Sequence, residues 1–142
     1  MALDLDVTEL DGACHCGTVT FKVTLADGLR TARRCNCSYC RMRGAVAVSA
    51  AVDGVTILTG AETLSVYSYN TKVAQHYFCS KCGIYTHHRR RSDASGFGVN
   101  AATLAGVSPF DFLELNVNDG IAHPSDGNPP RVAGVLRYTP ND

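Results

Sequence analysis

From Thr18 the chain alternates: Val19, Phe21, Val23 and Leu25 are apolar, while Thr18, Thr20, Lys22 and Thr24 are polar. A period of two puts one set on each face of a strand, so the stretch predicts a half-buried β-strand. Ala26-Asp27-Gly28 signals a turn after it. Small residues at 45–52 read as a second strand, and Asp53-Gly54 predicts a hairpin turn into residues 55–58. Gly60-Ala61-Glu62 marks another turn, and residues 64–69 alternate again, Leu64 and Val66 against Ser65 and Tyr67, until Asn70-Thr71 ends the pattern. Residues 74–78 and 84–88 predict two arms of a hairpin closing through Cys79–Cys82. A glycine-rich mobile loop at 92–98 leads into a strand at 97–100 and one helical turn at 101–105. A short strand at 113–117 and a proline-rich loop at 124–130 follow, and the last ten residues fit either an edge strand or a tail. Short strands at short intervals, without an internal repeat, predict an all-β fold.

Candidate chemistry lies between these strands. Arg34-Cys35-Asn36-Cys37-Ser38-Tyr39-Cys40-Arg41 packs three cysteines into six residues, too tightly for ordinary disulfides. An i, i+2 pair in extended chain and an i, i+3 pair around a turn each aim both sulfurs one way, so the three thiols converge. Convergent thiolates suit zinc, which takes four ligands when structural and three plus an open position when catalytic. Cys14 and Cys16, with Cys79 and Cys82, account for the other four of the seven cysteines. The simplest partition is one closed four-thiolate site and one open three-thiolate site. A rival pairs Cys37 and Cys40 with Cys79 and Cys82 as a ribbon-like C-x-x-C…C-x-x-C site, leaving Cys14, Cys16 and Cys35 without a role.

Gly12-x-Cys14-His15-Cys16-Gly17-x-Val19-x-Phe21, Cys35-Asn36-Cys37-Ser38-x-Cys40-Arg41 and Phe78-Cys79-x-x-Cys82-Gly83 together resemble the glutathione-dependent formaldehyde-activating enzyme family, over residues 12–104. The resemblance implies a zinc-binding β-tent of short antiparallel strands in packed sheets. It further implies two zinc ions, a structural one on Cys14, Cys16, Cys79 and Cys82 and a catalytic one on Cys35, Cys37 and Cys40. The implied activity is that of a carbon–sulfur lyase acting on a thiol adduct, glutathione plus formaldehyde giving S-hydroxymethylglutathione. A zinc-stabilised interaction module and a thiol redox sensor built on Cys35–Cys40 are the alternatives. A zinc deaminase is disfavoured, because no H-x-E precedes a P-C-x-x-C.

Composition narrows the partners. At 142 residues and 15.1 kDa the chain reads as one domain, residues 1–142. Thirteen basic residues balance thirteen acidic ones, so overall charge suggests no nucleic-acid or membrane-surface partner, and the ligand the resemblance implies is a small-molecule thiol such as glutathione. The N-terminal residues 1–11 lack the charge and apolar core of a signal peptide, and no apolar run approaches the ~20 residues of a membrane-spanning helix. Closely spaced cysteines in odd number point to reduced thiols in the cytoplasm.

Charge is uneven locally. Arg30, Arg33, Arg34, Arg41 and Arg43 crowd the cysteine cluster, where guanidinium groups would either neutralise thiolate charge or clamp the carboxylates of an anionic substrate. Arg89–Arg91 reads as a solvated face, Tyr39 as packing over the cluster, and Tyr67 and Tyr69 as ordinary strand residues. His15, His76, His87, His88 and His123 read as surface or hydrogen-bonded histidines, with His87 and His88 the candidates for proton transfer.

Overall fold

The computed structural model describes residues 3–69, 72–91 and 96–142. The break expected at Asn70-Thr71 and most of the loop expected at 92–98 lie outside them. Ten strands run in order: β1 (Glu9–Ala13), β2 (Thr20–Leu25), β3 (Arg33–Cys35), β4 (Ala47–Thr59), β5 (Leu64–Tyr67), β6 (Gln75–Cys79), β7 (Tyr85–Arg89), β8 (Phe97–Asn100), β9 (Glu114–Asn118) and β10 (Val132–Arg137). One short helix, α1 (Ser38–Arg43), and four single turns of 3₁₀ helix complete the described elements. The fold is all-β, and no helix among the described residues is long and apolar enough to cross a membrane.

Alternation in β2 sets the core. Phe21 and Val23 are fully buried and Leu25 nearly so, with Lys22 and Thr24 outward. The Phe21 ring lies over its β1 partner Gly12, where a Cβ would collide with the ring carbons. Burying a ring this size contributes about 1.5–3 kcal/mol, so β1 holds its place by leaving room at that one position. Leu29, Val48, Val99, Ala101 and Leu104 complete the centre of the core.

The sheet runs β10-β9-β3-β4-β8-β7-β6-β5, and β2, carrying β1, pairs separately with β4. β4 is therefore the shared member: its first residues pair with β3 and β8, and the rest with β2. The hairpin expected at Asp53-Gly54 does not form. Both residues lie inside β4, where Asp53 takes φ 55° and the ladder shifts between Val23↔Val55 and Leu25↔Ala50. A Cβ on Gly54 would sit 2.5 Å from the Thr24 carbonyl oxygen and 2.7 Å from that of Ala51. The left-handed residue thus sits in an enlarged bulge, residues 51–54 of β4 opposite Thr24 alone, because β2 supplies partners on both sides of it and keeps the strand running.

Pairing is antiparallel except between β3 and β9, which run parallel with Arg33↔Asn116, Arg34↔Val117 and Cys35↔Asn118. The antiparallel strands expected are thus present, with this one parallel pair among them. Of the last ten residues, those up to Arg137 belong to β10, an edge strand paired with β9, and residues 138–142 follow as a tail without regular structure. The end of β9, far along the chain, is thereby laid beside Cys35, the first cysteine of the cluster, with β10 one strand further out.

Candidate metal centres

Two turns of similar build bring four cysteines together. In the first, Gly17 N–H donates to Cys14 O at 3.1 Å and Gly17 takes φ 79°. In the second, Gly83 N–H donates to Cys79 O at 2.7 Å and Gly83 takes φ 76°, closing the β6–β7 hairpin as expected. A glycine directly after the second cysteine lets each turn enter the left-handed region without strain. The Sγ atoms of Cys14, Cys16, Cys79 and Cys82 all lie within 4.8 Å of one another.

The spacings test the fit. Four sulfurs at about 2.3 Å from a tetrahedral zinc stand about 3.8 Å apart. Cys14 Sγ to Cys16 Sγ is 3.7 Å and Cys16 Sγ to Cys79 Sγ is 3.8 Å. All seven cysteines are free, and these gaps are far beyond a disulfide bond. Val19 N–H donates to Cys14 Sγ at 3.3 Å. The Thr18 hydroxyl, 3.2 Å from Cys16 Sγ, is the main cause pulling that thiol down to about 6, so it ionises readily for a cation. Cys14 and Cys79 are buried in the apolar cluster, which shields half of the site from water. Residues and geometry fit a closed tetrathiolate site.

Cys35, Cys37 and Cys40 form the second group, their Sγ atoms again within 4.8 Å of one another. The ribbon-like alternative is excluded, because Cys37 and Cys40 share their cluster with Cys35 and not with Cys79 and Cys82. Cys35 ends β3, and Cys37 caps α1 with its Sγ accepting from Cys40 N–H at 3.3 Å. Cys35 Sγ accepts from Cys37 N–H at 3.5 Å. Hydrogen bonds from the Cys35 and Cys40 thiols hold Cys37 far below the ordinary thiol range. Hydrogen bonds within the cluster push the Cys35 and Cys40 thiols the other way, upward. A divalent metal bound by these three sulfurs would be held as thiolates, with the thiol protons released to solvent.

Residues remote in sequence support this cluster. Asn36 N–H donates to Asn118 O at 3.3 Å, and Gly120 N–H donates to Asn36 Oδ1 at 2.8 Å. A Cβ on Gly120 would overlap Cys35 Sγ and come within 2.7 Å of Cys37 Cβ. Gly120→Ala is therefore expected to push the cysteine loop off its ligand geometry and weaken metal binding there by about 10–100-fold, the usual effect of disturbing a supporting contact. Competition with a chromophoric chelator would measure it. Equal retention of both metals by the variant would refute it.

The three-cysteine cluster lies in the wall of a cavity of about 450 Å³. Arg33, Arg34 and Arg43 line it as expected, whereas Arg30 bridges Asp6 and Asp27 elsewhere and Arg41 is exposed. Arg43 is clamped with its guanidinium 3.7 Å from the centre of the Tyr85 ring and 4.9 Å from that of Tyr39. From there Nη1 meets His76 Nδ1 at 2.9 Å and Nη2 donates to Cys40 Sγ at 3.6 Å. Tyr39 packs against His76 and Tyr67, at 4.4 and 5.3 Å between ring centres, as expected for a residue covering the cluster.

Several expectations change. Arg89–Arg91 is half-buried and not a solvated face, because β7 ends at the cavity and Arg90 and Arg91 enter its wall. Tyr69 is past the end of β5 and also lines the cavity. Of the two histidines expected to transfer protons, His87 stacks on Tyr77 at 4.5 Å and packs among Phe21 and Phe97, away from the cavity lining. His88 lines the cavity, with Nδ1 2.6 Å from the Tyr85 hydroxyl. Burial, and then the Arg43 charge, keep His88 neutral at pH 7 and lower His76 to about 4. Sequence reasoning missed His76, Asp119, Gly120, His123 and Arg131 as cavity residues. Only Asn118-Asp119-Gly120 carried a signal, as a turn-forming triplet beside a strand.

Residues 9–112 match the family model described as glutathione-dependent formaldehyde-activating enzyme. A Halomonas elongata protein, named provisionally as such an enzyme, is 36% identical over 81 residues, which is 51% of this chain and 51% of that one. The chain spans about half the length of that curated relative. The crystal structure of a Rhodobacter sphaeroides protein, 48% identical, superposes with a TM-score of 0.74 over 75% of this chain and 98% of its own.

Proposed function

Since the chain belongs to the glutathione-dependent formaldehyde-activating enzyme family, we propose that it is a zinc-dependent carbon–sulfur lyase acting on the adduct of a small-molecule thiol with formaldehyde. In the forming direction the sulfur of a thiol such as glutathione bonds to the carbonyl carbon. The thiol proton ends on the former carbonyl oxygen, giving S–CH₂–OH. One observation carries this reading: three converging cysteines stand on a cavity wall, and among the described residues no fourth Cys, His, Asp or Glu joins their cluster. That favours catalysis over a saturated structural ion.

Zinc held by Cys35, Cys37 and Cys40 would supply an open position that stabilises a substrate thiolate or draws on the aldehyde oxygen. The chain's own groups do the rest. Arg43, fixed between two tyrosine rings, orients Cys40 and offsets thiolate charge. Arg33 and Arg34 offer donors to the substrate's carboxylates. His88, neutral and held at Nδ1 by the Tyr85 hydroxyl, is the group we assign to moving the proton between thiol and carbonyl oxygen. Cys14, Cys16, Cys79 and Cys82 hold the structural zinc and take no part in turnover. Seven free thiols suit a reducing compartment, the cytoplasm.

Native mass spectrometry of the zinc-loaded chain, with and without excess glutathione, tests the assignment together with the rate of S-hydroxymethylglutathione formation followed by proton NMR. Two zinc ions per chain, a glutathione adduct and a rate above the spontaneous one are expected. Two ions with no adduct and no acceleration would leave a purely structural protein.

A further inference from the structure

We infer that the cavity selects a thiol bearing two negative charges and no ammonium group, so that glutathione with its amine neutralised binds better than glutathione itself. The inference rests on the proposed function only for the sulfur end, whereas charge selection is a property of the wall. Arg33, Arg34, Arg43, Arg90, Arg91 and Arg131 line the cavity, against one carboxylate among the described lining residues, Asp119.

Asp119 is already engaged. Its Oδ1 accepts from Ile121 N–H and Ala122 N–H, each at 3.0 Å, and its Oδ2 accepts from Arg131 Nε at 3.2 Å. Those backbone bonds hold it below the usual carboxylate range, fixed as the anchor of its own loop. Three of its about four lone-pair sites are taken, and the Arg131 guanidinium stands beside the one left on Oδ2, where a substrate ammonium would meet a like charge.

Arg91 pairs with Asp126 at 2.6 Å and Arg131 with Asp119, whereas Arg33, Arg34 and Arg90 have no carboxylate partner among the described residues. Arg33 Nη1 donates to the Ser49 hydroxyl at 3.0 Å and to Ala47 O at 3.4 Å, both neutral acceptors. A third acceptor, Thr31 O at 3.3 Å, is uncharged as well. Neither the Arg34 nor the Arg90 guanidinium makes a hydrogen bond or ion pair among the described residues. Guanidinium groups withdrawn from water and set against one another gain from an anion with acceptor oxygens and lose from any further cation. At neutral pH glutathione carries two carboxylates and one ammonium. N-acetylation removes the ammonium and leaves the thiol and both carboxylates in place.

The experiment is isothermal titration calorimetry of the zinc-loaded full chain with glutathione and with N-acetylglutathione. Binding of the acetylated thiol about tenfold tighter is expected. Arg90→Gln and Arg34→Gln, each checked for native circular dichroism, should weaken the acetylated thiol and narrow the gap. Glutathione binding as tightly or more tightly, no binding by either thiol, or a gap unchanged in both variants would overturn the inference. The cobalt-substituted protein separates this from the proposed function. Should the preference hold while neither thiol alters the sulfur-to-cobalt absorption, charge selection stands and the open metal position falls. An altered absorption with glutathione the tighter ligand gives the reverse.

Discussion

Cys79→Ser is expected to release the four-thiolate zinc and leave a chain that no longer unfolds cooperatively at physiological temperature. Cys79 is fully buried, and its cluster ties the β6–β7 turn to a turn before β2, Cys16 and Cys79 being 63 residues apart. Structural zinc contributes about 10–16 kcal/mol in small zinc domains. Whole domains are stable by only about 5–15 kcal/mol, so losing this ion removes an amount comparable to the entire stability. Relaxing the metal cluster would also leave a serine hydroxyl among apolar neighbours of the core. Thermal unfolding by circular dichroism, with zinc counted per chain, measures the effect. A variant melting within a few degrees of the parent would show that apolar packing alone holds the two turns together.

Cys37→Ser should do nearly the opposite. Its side chain is half-buried at the start of a six-residue helix outside the apolar core, so the fold should persist with one zinc remaining. Turnover should fall on the order of a thousandfold, since a lost metal centre forfeits several kcal/mol of transition-state stabilisation. Formation of S-hydroxymethylglutathione and the zinc count give the result. Undiminished activity with a single zinc would move catalysis away from the three-cysteine loop. A thiol sensor would separate differently: the parent would show reversible loss of one zinc on oxidation without turnover, and the variant would lack that response.

The cysteine clusters were legible because ligand geometry imposes short spacings, and β2 because a strand with one face buried must alternate. What the chain hid has physical reasons. β1 was obscure because exposed Glu9 and acidic Asp11 flank Leu10, and its key position, Gly12, works by having no side chain beneath Phe21. Asp53-Gly54 carried turn chemistry, but a positive φ specifies a local backbone state and not a reversal of the chain, and tertiary pairing with β2 decided the outcome. α1 lacks the usual oxygen cap because a cysteine sulfur takes its place. Arg90 and Arg91 look solvated in any composition-based reading, and only the end of β7 shows where they go. The contact between Asn36 and Gly120 spans 84 residues, beyond the reach of local pattern.

The parallel pairing of β3 with β9 separates two jobs along the chain. The match to the family model ends at residue 112, yet Asp119, Gly120, His123 and Arg131 beyond it line the chamber. Substitutions in this closing segment can therefore reshape what the chamber admits without altering any of the seven cysteines.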